Sequence, residues 1–133
     1  MATETQEQKA AIAWFRGKYP KHNGSIRVSL SGLNFGSGAR AGRMINHIRA
    51  LGMVNGESDV ALLIPKGIYG CMVLEHKGED QPHKLSDSQD TYLQYHRRTG
   101  NHAVSTRGIE EFKEKIEEYL ALKPGDRIIL NNG

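Results

Sequence analysis

Two short apolar runs separated by a tight turn constrain the fold of this chain most. Residues 59–64 read DVALLI and residues 69–75 read YGCMVLE, with a loop that contains Gly67 between them. Apolar runs of this length around a short glycine-containing loop are typical of two antiparallel strands joined as a hairpin. The hairpin predicts a sheet to which the rest of the chain adds further strands and covering helices.

The remaining segments alternate between helical and extended patterns. Periods typical of helices occur at 4–18, 43–51, 86–99 and 109–120. Patterns typical of further strands occur at 26–30, 102–106 and 127–130, and a glycine-rich loop covers 32–42. The order of these elements predicts an α/β fold, a mixed β-sheet flanked by helices, in a single domain that spans residues 1–133.

Composition bears on the cellular location of the protein. No apolar run approaches the roughly 20 residues that a membrane-spanning helix needs. The N-terminal residues are polar before they become apolar, which is the wrong order for a secretory signal. The single cysteine, Cys71, lies in an apolar run, and a buried free thiol suits a reducing compartment. We therefore expect a cytoplasmic protein.

Basic side chains are concentrated in two segments, although the net charge is only +3. The candidates for contact with phosphate groups, such as those of a nucleic-acid backbone, are Arg40, Arg43 and Arg49 in one segment and Arg97 and Arg98 in the other. Clustered cations create a local positive field that attracts phosphate. Solvated helix faces explain either cluster equally well.

The open end of the predicted hairpin carries two acids and a lysine. If Pro65 and Tyr69 are the last paired residues around the loop, antiparallel pairing places Asp59 opposite Glu75. Opposed residues point to the same face, with Cβ atoms about 5 Å apart. Lys77 lies two residues further and projects from that face as well. Two close carboxylates repel each other unless a cation lies between them, and such oxygen ligands suit Mg²⁺. An ion pair between Asp59 and Lys77, with Glu75 in solvent, is the alternative that the spacing leaves open.

His76 is predicted to point to the opposite face of the sheet. There, packing or a hydrogen bond would satisfy its ring. Its main-chain carbonyl remains available as a further metal ligand.

The chain resembles the VRR-NUC (virus-type replication-repair nuclease) family of the PD-(D/E)XK nuclease superfamily, in particular its small stand-alone phage and bacterial members. The resemblance rests on five stretches in the family's order: ETQEQKAAIAWFR, RALGMVNGESDVALLIP, GCMVLEHK, LSDSQDTYL and GIEEFKEKIEEYL. It implies a restriction-endonuclease-like core and an endonuclease that requires Mg²⁺ or Mn²⁺. Stand-alone members tend to form homodimers that cut branched DNA, including four-way (Holliday) junctions, in a bacterial or phage-infected host cell.

The resemblance also implies roles for individual residues. Asp59 matches the aspartate of the family's P-D motif, Glu75 and Lys77 match its E-x-K motif, and Gln89 matches the glutamine of its S-x-x-Q motif. The implied metal ligands are Asp59, Glu75, the His76 carbonyl and, as a supporting acid, Glu4. The lysine of such enzymes helps to activate the attacking water.

Several features fit the family pattern less well. Ser58 stands where the family has proline, and Glu57 adds an acid that the motif does not need. Ser86 and Gln89 also form a helix capping box, and one amide is not expected to serve both the helix end and the site fully. Glu4 lies near the N-terminus, where a lack of order is usual. The alternative functions are a non-catalytic DNA-binding module and a nucleotide-binding protein that uses GLNFGSGAR.

Overall fold

The computed structural model describes residues 3–29, 36–80 and 84–130 of the chain. Within them, the elements are α1 (Glu4–Lys18), a 3₁₀-helix (Pro20–Ser25), β1 (Ile26–Val28), α2 (Gly38–Ala50), β2 (Val60–Leu62), β3 (Met72–Lys77), α3 (Asp87–Arg98), β4 (His102–Arg107) and α4 (Gly108–Leu120). None of the helices in these ranges has the length and apolar character needed to cross a membrane.

The four strands form one mixed sheet in the order β1-β2-β3-β4. β1, β2 and β3 are antiparallel to their neighbours, whereas β4 runs parallel to β3 and is reached through α3. Side chains that alternate along β3 divide the core between the two faces of the sheet. Leu74 packs with Phe15 of α1 and Phe112 of α4, whereas Val73 packs with Leu93 of α3. The predicted α/β class, with helices on both faces of a mixed sheet, is confirmed.

The register of the β2–β3 hairpin agrees with the prediction. Val60 pairs with Leu74 and Leu62 with Met72, so Asp59 and Glu75 are the residues that come next at the open end, just beyond the paired segment. The turn itself is tighter than expected, because Tyr69 pairs with Lys66 and not with Pro65. One extra residue on the β2 side compensates for the shorter turn, and the register at the open end is therefore unchanged.

Two other predicted elements differ from the structure. α2 begins at Gly38, so the later part of the predicted glycine-rich loop forms its first turn, while residues 30–35 lie outside the described ranges. Residues 127–130 do not form the predicted strand. The Tyr69 hydroxyl accepts a hydrogen bond from the Ile128 N–H at 2.9 Å and lies 3.3 Å from the Ile128 carbonyl oxygen. A side chain therefore replaces a neighbouring strand as the partner of this extended segment.

Candidate active site

The open end of the β2–β3 hairpin brings the predicted acids and the lysine together. Asp59 immediately precedes β2, and Glu75 and Lys77 lie at the end of β3. Lys77 Nζ is 3.8 Å from Glu75 Oε1, and Glu75 is only 3 % exposed. The alternative in which Glu75 is solvated beside an Asp59–Lys77 ion pair is therefore wrong. Glu75 is the buried acid, and Lys77 lies next to it.

Gln89 connects the N-terminus of α3 to this pair. Its Nε2 donates a hydrogen bond to Glu75 Oε1 at 2.7 Å, and its Oε1 accepts from Lys77 Nζ at 3.2 Å. The same Oε1 accepts from the main-chain N–H of Ser86 at 2.9 Å, while the Gln89 N–H donates to Ser86 Oγ. One amide serves both roles, because its carbonyl oxygen has two lone pairs and its nitrogen donates separately to Glu75. Gln89 caps α3 and contacts the acid and the lysine at once.

Asp59 is fixed by the backbone of β3. Its Oδ2 accepts a hydrogen bond from the main-chain N–H of His76 at 2.8 Å. The N–H and the carbonyl of a strand residue are directed toward the same neighbouring strand. The carbonyl of His76 therefore faces the side on which Asp59 lies, as a metal ligand at this position would require.

The first turn of α1 reaches the same end of the sheet. Glu4 Oε2 accepts a hydrogen bond from the main-chain N–H of Gly78 at 3.3 Å. Glu4 also contributes negative charge at Asp59. Thr3 and Gln6 form a capping box at the start of α1, with hydrogen bonds of 2.8 and 3.1 Å. Glu4 is thus the first residue of a capped helix and lies at the edge of the candidate site.

His76 packs beneath the site, on the opposite face of the sheet. Its ring is fully buried, contacts Phe112 edge-on, and has Nε2 at 3.5 Å from Glu7 Oε2. Glu7 also accepts from the main-chain N–H of Glu79 at 3.3 Å. Sequence reasoning missed Glu7, although its position one turn after Glu4 on the same helix was a signal. Glu7 joins α1 to the segment that follows the lysine.

Burial and neighbouring negative charges perturb both carboxyl groups. The pKa of Glu75 is raised to about 8, mainly by burial and next by the negative charge of Asp59, while the Lys77 ammonium acts to lower it. The pKa of Asp59 is also raised, mainly by burial, while the hydrogen bond from His76 acts in the other direction. The site therefore favours either a shared proton or a bound cation.

The donor set fits a hard divalent cation. Among the described residues, no group of three or more histidine, cysteine and acidic side chains forms a complete metal cage. Mg²⁺, however, commonly uses one or two carboxylates and keeps several waters. Within the same residues, Glu75 Oε2 is buried and has no hydrogen-bond partner. This free oxygen, Asp59 and the His76 carbonyl are ligands of the required kind.

The loop before Asp59 is held by its own polar residues. Glu57 accepts hydrogen bonds from Ser29 Oγ at 2.5 Å and from the Val54 N–H at 2.7 Å, so the extra acid has a structural role. Gly56 has φ +77°, and a Cβ at this position would overlap the Ser88 carbonyl of α3. Only glycine therefore allows the loop to approach the helix end that positions Gln89.

The predicted basic residues are not equivalent. Arg97 is half-buried, and its Nε donates to the Ala103 carbonyl at 3.0 Å, so it joins α3 to β4. Arg98 is exposed at the end of α3. Arg40, Arg43 and Arg49 are exposed on α2, which buries only Ala41 and Ile48. The structure thus gives Arg97 a packing role and leaves the others at the surface.

A solved structure named "VRR_NUC domain protein" has the same fold as this chain. The two align with a TM-score of 0.78 and 19 % sequence identity over 97 % of this chain and 98 % of the other. No protein-family model and no curated protein matches the sequence. The resemblance inferred from the five sequence stretches is thus confirmed at the level of the fold.

Proposed function

We propose that this protein is a metal-dependent nuclease that hydrolyses phosphodiester bonds in DNA. The observation that carries the proposal is the convergence of Asp59, Glu75 and Lys77 at the open end of the hairpin, where Gln89 bridges Glu75 and Lys77. Residues of these types, in a fold shared with a VRR_NUC domain protein, suit phosphodiester hydrolysis.

Asp59, Glu75 and the His76 carbonyl would hold Mg²⁺ or Mn²⁺, with Glu4 at the edge of the site. When bound, such an ion polarises a phosphoryl oxygen and lowers the pKa of a water molecule. Lys77 would orient the attacking water or offset the charge that develops on the phosphate. Gln89 is a positioning residue, because its Oε1 holds the Lys77 ammonium and its Nε2 holds Glu75.

The preferred substrate in this proposal is branched DNA, including four-way junctions, as the sequence resemblance implies. A homodimer with two-fold symmetry would present two sites to opposite strands of a junction, and closed two-fold dimers are the commonest oligomers. This part of the proposal rests on the resemblance rather than on the site geometry.

The test uses labelled four-way junction, flap and linear duplex DNA, each with Mg²⁺, Mn²⁺ or EDTA. Asp59→Ala and Lys77→Ala should each lower the cleavage rate by about 100-fold or more. Glu114→Ala and Lys123→Ala are matched controls at exposed positions outside the site and should cut normally. Binding of DNA without cutting under every metal would refute the nuclease and favour a non-catalytic DNA-binding module.

A further inference from the structure

A cleft between α1 and the edge strand β1 leads to the candidate active site. Its volume is about 420 Å³, and Glu4 and Asp59 line one end of it. Lys9 and Arg16 line it further along α1, and Val28 of β1 lies on the opposite wall. The cleft therefore joins the acidic end of the hairpin to a basic stretch of helix that the sequence analysis did not single out.

The two cations are spaced along one side of α1. Lys9 and Arg16 are seven residues apart, close to two helical turns, so they project from the same side and are separated by about 10.5 Å along the axis. A DNA strand advances about 3.4 Å along the duplex axis per phosphate. The spacing of the two cations therefore corresponds to about three phosphates of one strand.

The charges of Lys9 and Arg16 are available to a ligand. Both side chains are exposed, and neither forms an ion pair with another residue in the described ranges. At the other end of the cleft, Glu4 and Asp59 repel a phosphate backbone when no metal is bound. Cations placed along the approach to these acids offset that repulsion.

We propose that this cleft binds one strand of the DNA substrate on one side of the cleaved phosphate, with Lys9 and Arg16 contacting its backbone. The proposal rests on the nuclease function proposed above. Ile12 and the half-exposed Val28 give the cleft an apolar surface against which sugar rings can pack. Phosphate contacts fix the position of the strand without reading its sequence, so binding along α1 is independent of base sequence.

The first measurement is the salt dependence of DNA binding in EDTA, by fluorescence anisotropy, for wild type and Lys9→Ala/Arg16→Ala. Loss of two phosphate contacts should reduce the slope of log K against log salt by about 1.8. If both proteins converge at 1 M salt, affinity at 0.1 M falls on the order of 60-fold. Lys9→Arg/Arg16→Lys should restore the slope, because the contacts depend on charge.

A matched control removes the same two charges elsewhere. Lys123 and Arg127 are exposed and flank Asp126, whose carbonyl accepts from Ile68 in the hairpin turn at 3.0 Å. This turn is the end of the hairpin opposite to Asp59. Lys123→Ala/Arg127→Ala should therefore retain the wild-type slope. The proposal is overturned if the salt slope of Lys9→Ala/Arg16→Ala equals that of wild type. It is also overturned if sedimentation shows that this variant no longer forms a dimer while its affinity for DNA is unchanged.

A second substrate separates this proposal from the nuclease function. Bis(p-nitrophenyl) phosphate is a phosphodiester too small to extend along α1. Lys9→Ala/Arg16→Ala should hydrolyse it with Mn²⁺ at the wild-type rate while losing kcat/KM on DNA. Equal losses on both substrates contradict strand binding. Wild type that cleaves neither substrate refutes the nuclease function, whereas a reduced salt slope in the same preparation still supports binding along the cleft.

Discussion

Glu75→Gln should stabilise the metal-free protein at alkaline pH and abolish its proposed activity. Glu75 is buried beside Asp59, and its pKa is raised from 4.5 to about 8, mainly by burial and next by the charge of Asp59. A glutamine has the same shape, and its Oε1 can still accept the 2.7 Å hydrogen bond from Gln89. The substitution therefore removes the charge with little change in packing.

The direction of this pH dependence follows from which state of the chain, folded or unfolded, binds the Glu75 proton. Between pH 4.5 and about 8, the unfolded chain releases the Glu75 proton while the folded chain retains it. The free energy of unfolding therefore falls as pH rises, by about 1.4 kcal/mol per pH unit for one proton. Between pH 4.5 and about 8 the wild-type free energy of unfolding falls by about 5 kcal/mol in total. Glu75→Gln has no proton to lose at this position, so its free energy of unfolding should not fall in this way. The two proteins should be equally stable near pH 4.5 and differ most above pH 8.

Thermal unfolding in EDTA between pH 4.5 and 8.5 measures this difference. The Tm of the variant should exceed that of wild type by on the order of 15 °C at the alkaline end. Glu114→Gln, an exposed glutamate on α4, is the control and should match wild type at every pH. A Tm difference between Glu75→Gln and wild type that does not change with pH would refute the assignment of Glu75 as the group that retains its proton.

Four further substitutions, with Gly42→Ala as a control, test the surroundings of the site. Gly56→Ala should lower the free energy of unfolding, measured in urea, by about 2–4 kcal/mol, because Gly56 has a positive φ and an added Cβ would overlap the α3 backbone. Gly42 has open space around it, so Gly42→Ala should be neutral or slightly stabilising in the same assay. Ser58→Ala should stabilise the protein by about 1 kcal/mol, because the buried Ser58 hydroxyl has no hydrogen-bond partner among the described residues; a lower urea midpoint would contradict this. Ser86→Ala and Gln89→Ala should each lower the free energy of unfolding by about 1 kcal/mol, because each removes part of the α3 cap. Gln89→Ala alone should also slow DNA cleavage, because Gln89 contacts Glu75. Equal cleavage rates for the two variants would contradict a role of Gln89 in the site.

The sequence was sufficient to predict the features that depend on neighbouring strands. The register predicted for the runs at 59–64 and 69–75 follows from the length of the turn between them. The turn is one residue tighter than expected, and the predicted register is found at Val60 and Leu74 because one extra residue on the β2 side compensates. Features that depend on distant partners were not predicted. The segment 127–130 has a strand-like composition, but its backbone partner is the hydroxyl of Tyr69, 59 positions away, which no local pattern reveals.

The roles of polar residues were only partly predictable, because a motif does not give the orientation of a side chain. Ser86 and Gln89 match a capping box, and the box is present, yet the same amide also faces Glu75 and Lys77. The sequence left open how fully one amide could serve both roles, because it did not show that Gln89 Oε1 lies within hydrogen-bond distance of both the Ser86 N–H and Lys77 Nζ. Likewise, an i, i+7 pair of cations on α1 has no evident use until β1 is seen to form the other wall of a cleft.

The charge balance of the site sets the stability of the metal-free protein against its proposed function. Asp59 and Glu75 lie close together at the end of the sheet, Glu4 adds a third negative charge, and Lys77 supplies one compensating ammonium, itself held by Gln89. Burial and the charge of Asp59 outweigh the single ammonium of Lys77, so the pKa of Glu75 is raised and the acid retains its proton. A divalent cation would substitute for the proton at the same oxygens. Proton and cation therefore compete, and the pH range in which the metal-free protein loses stability is the range in which its affinity for the ion should rise.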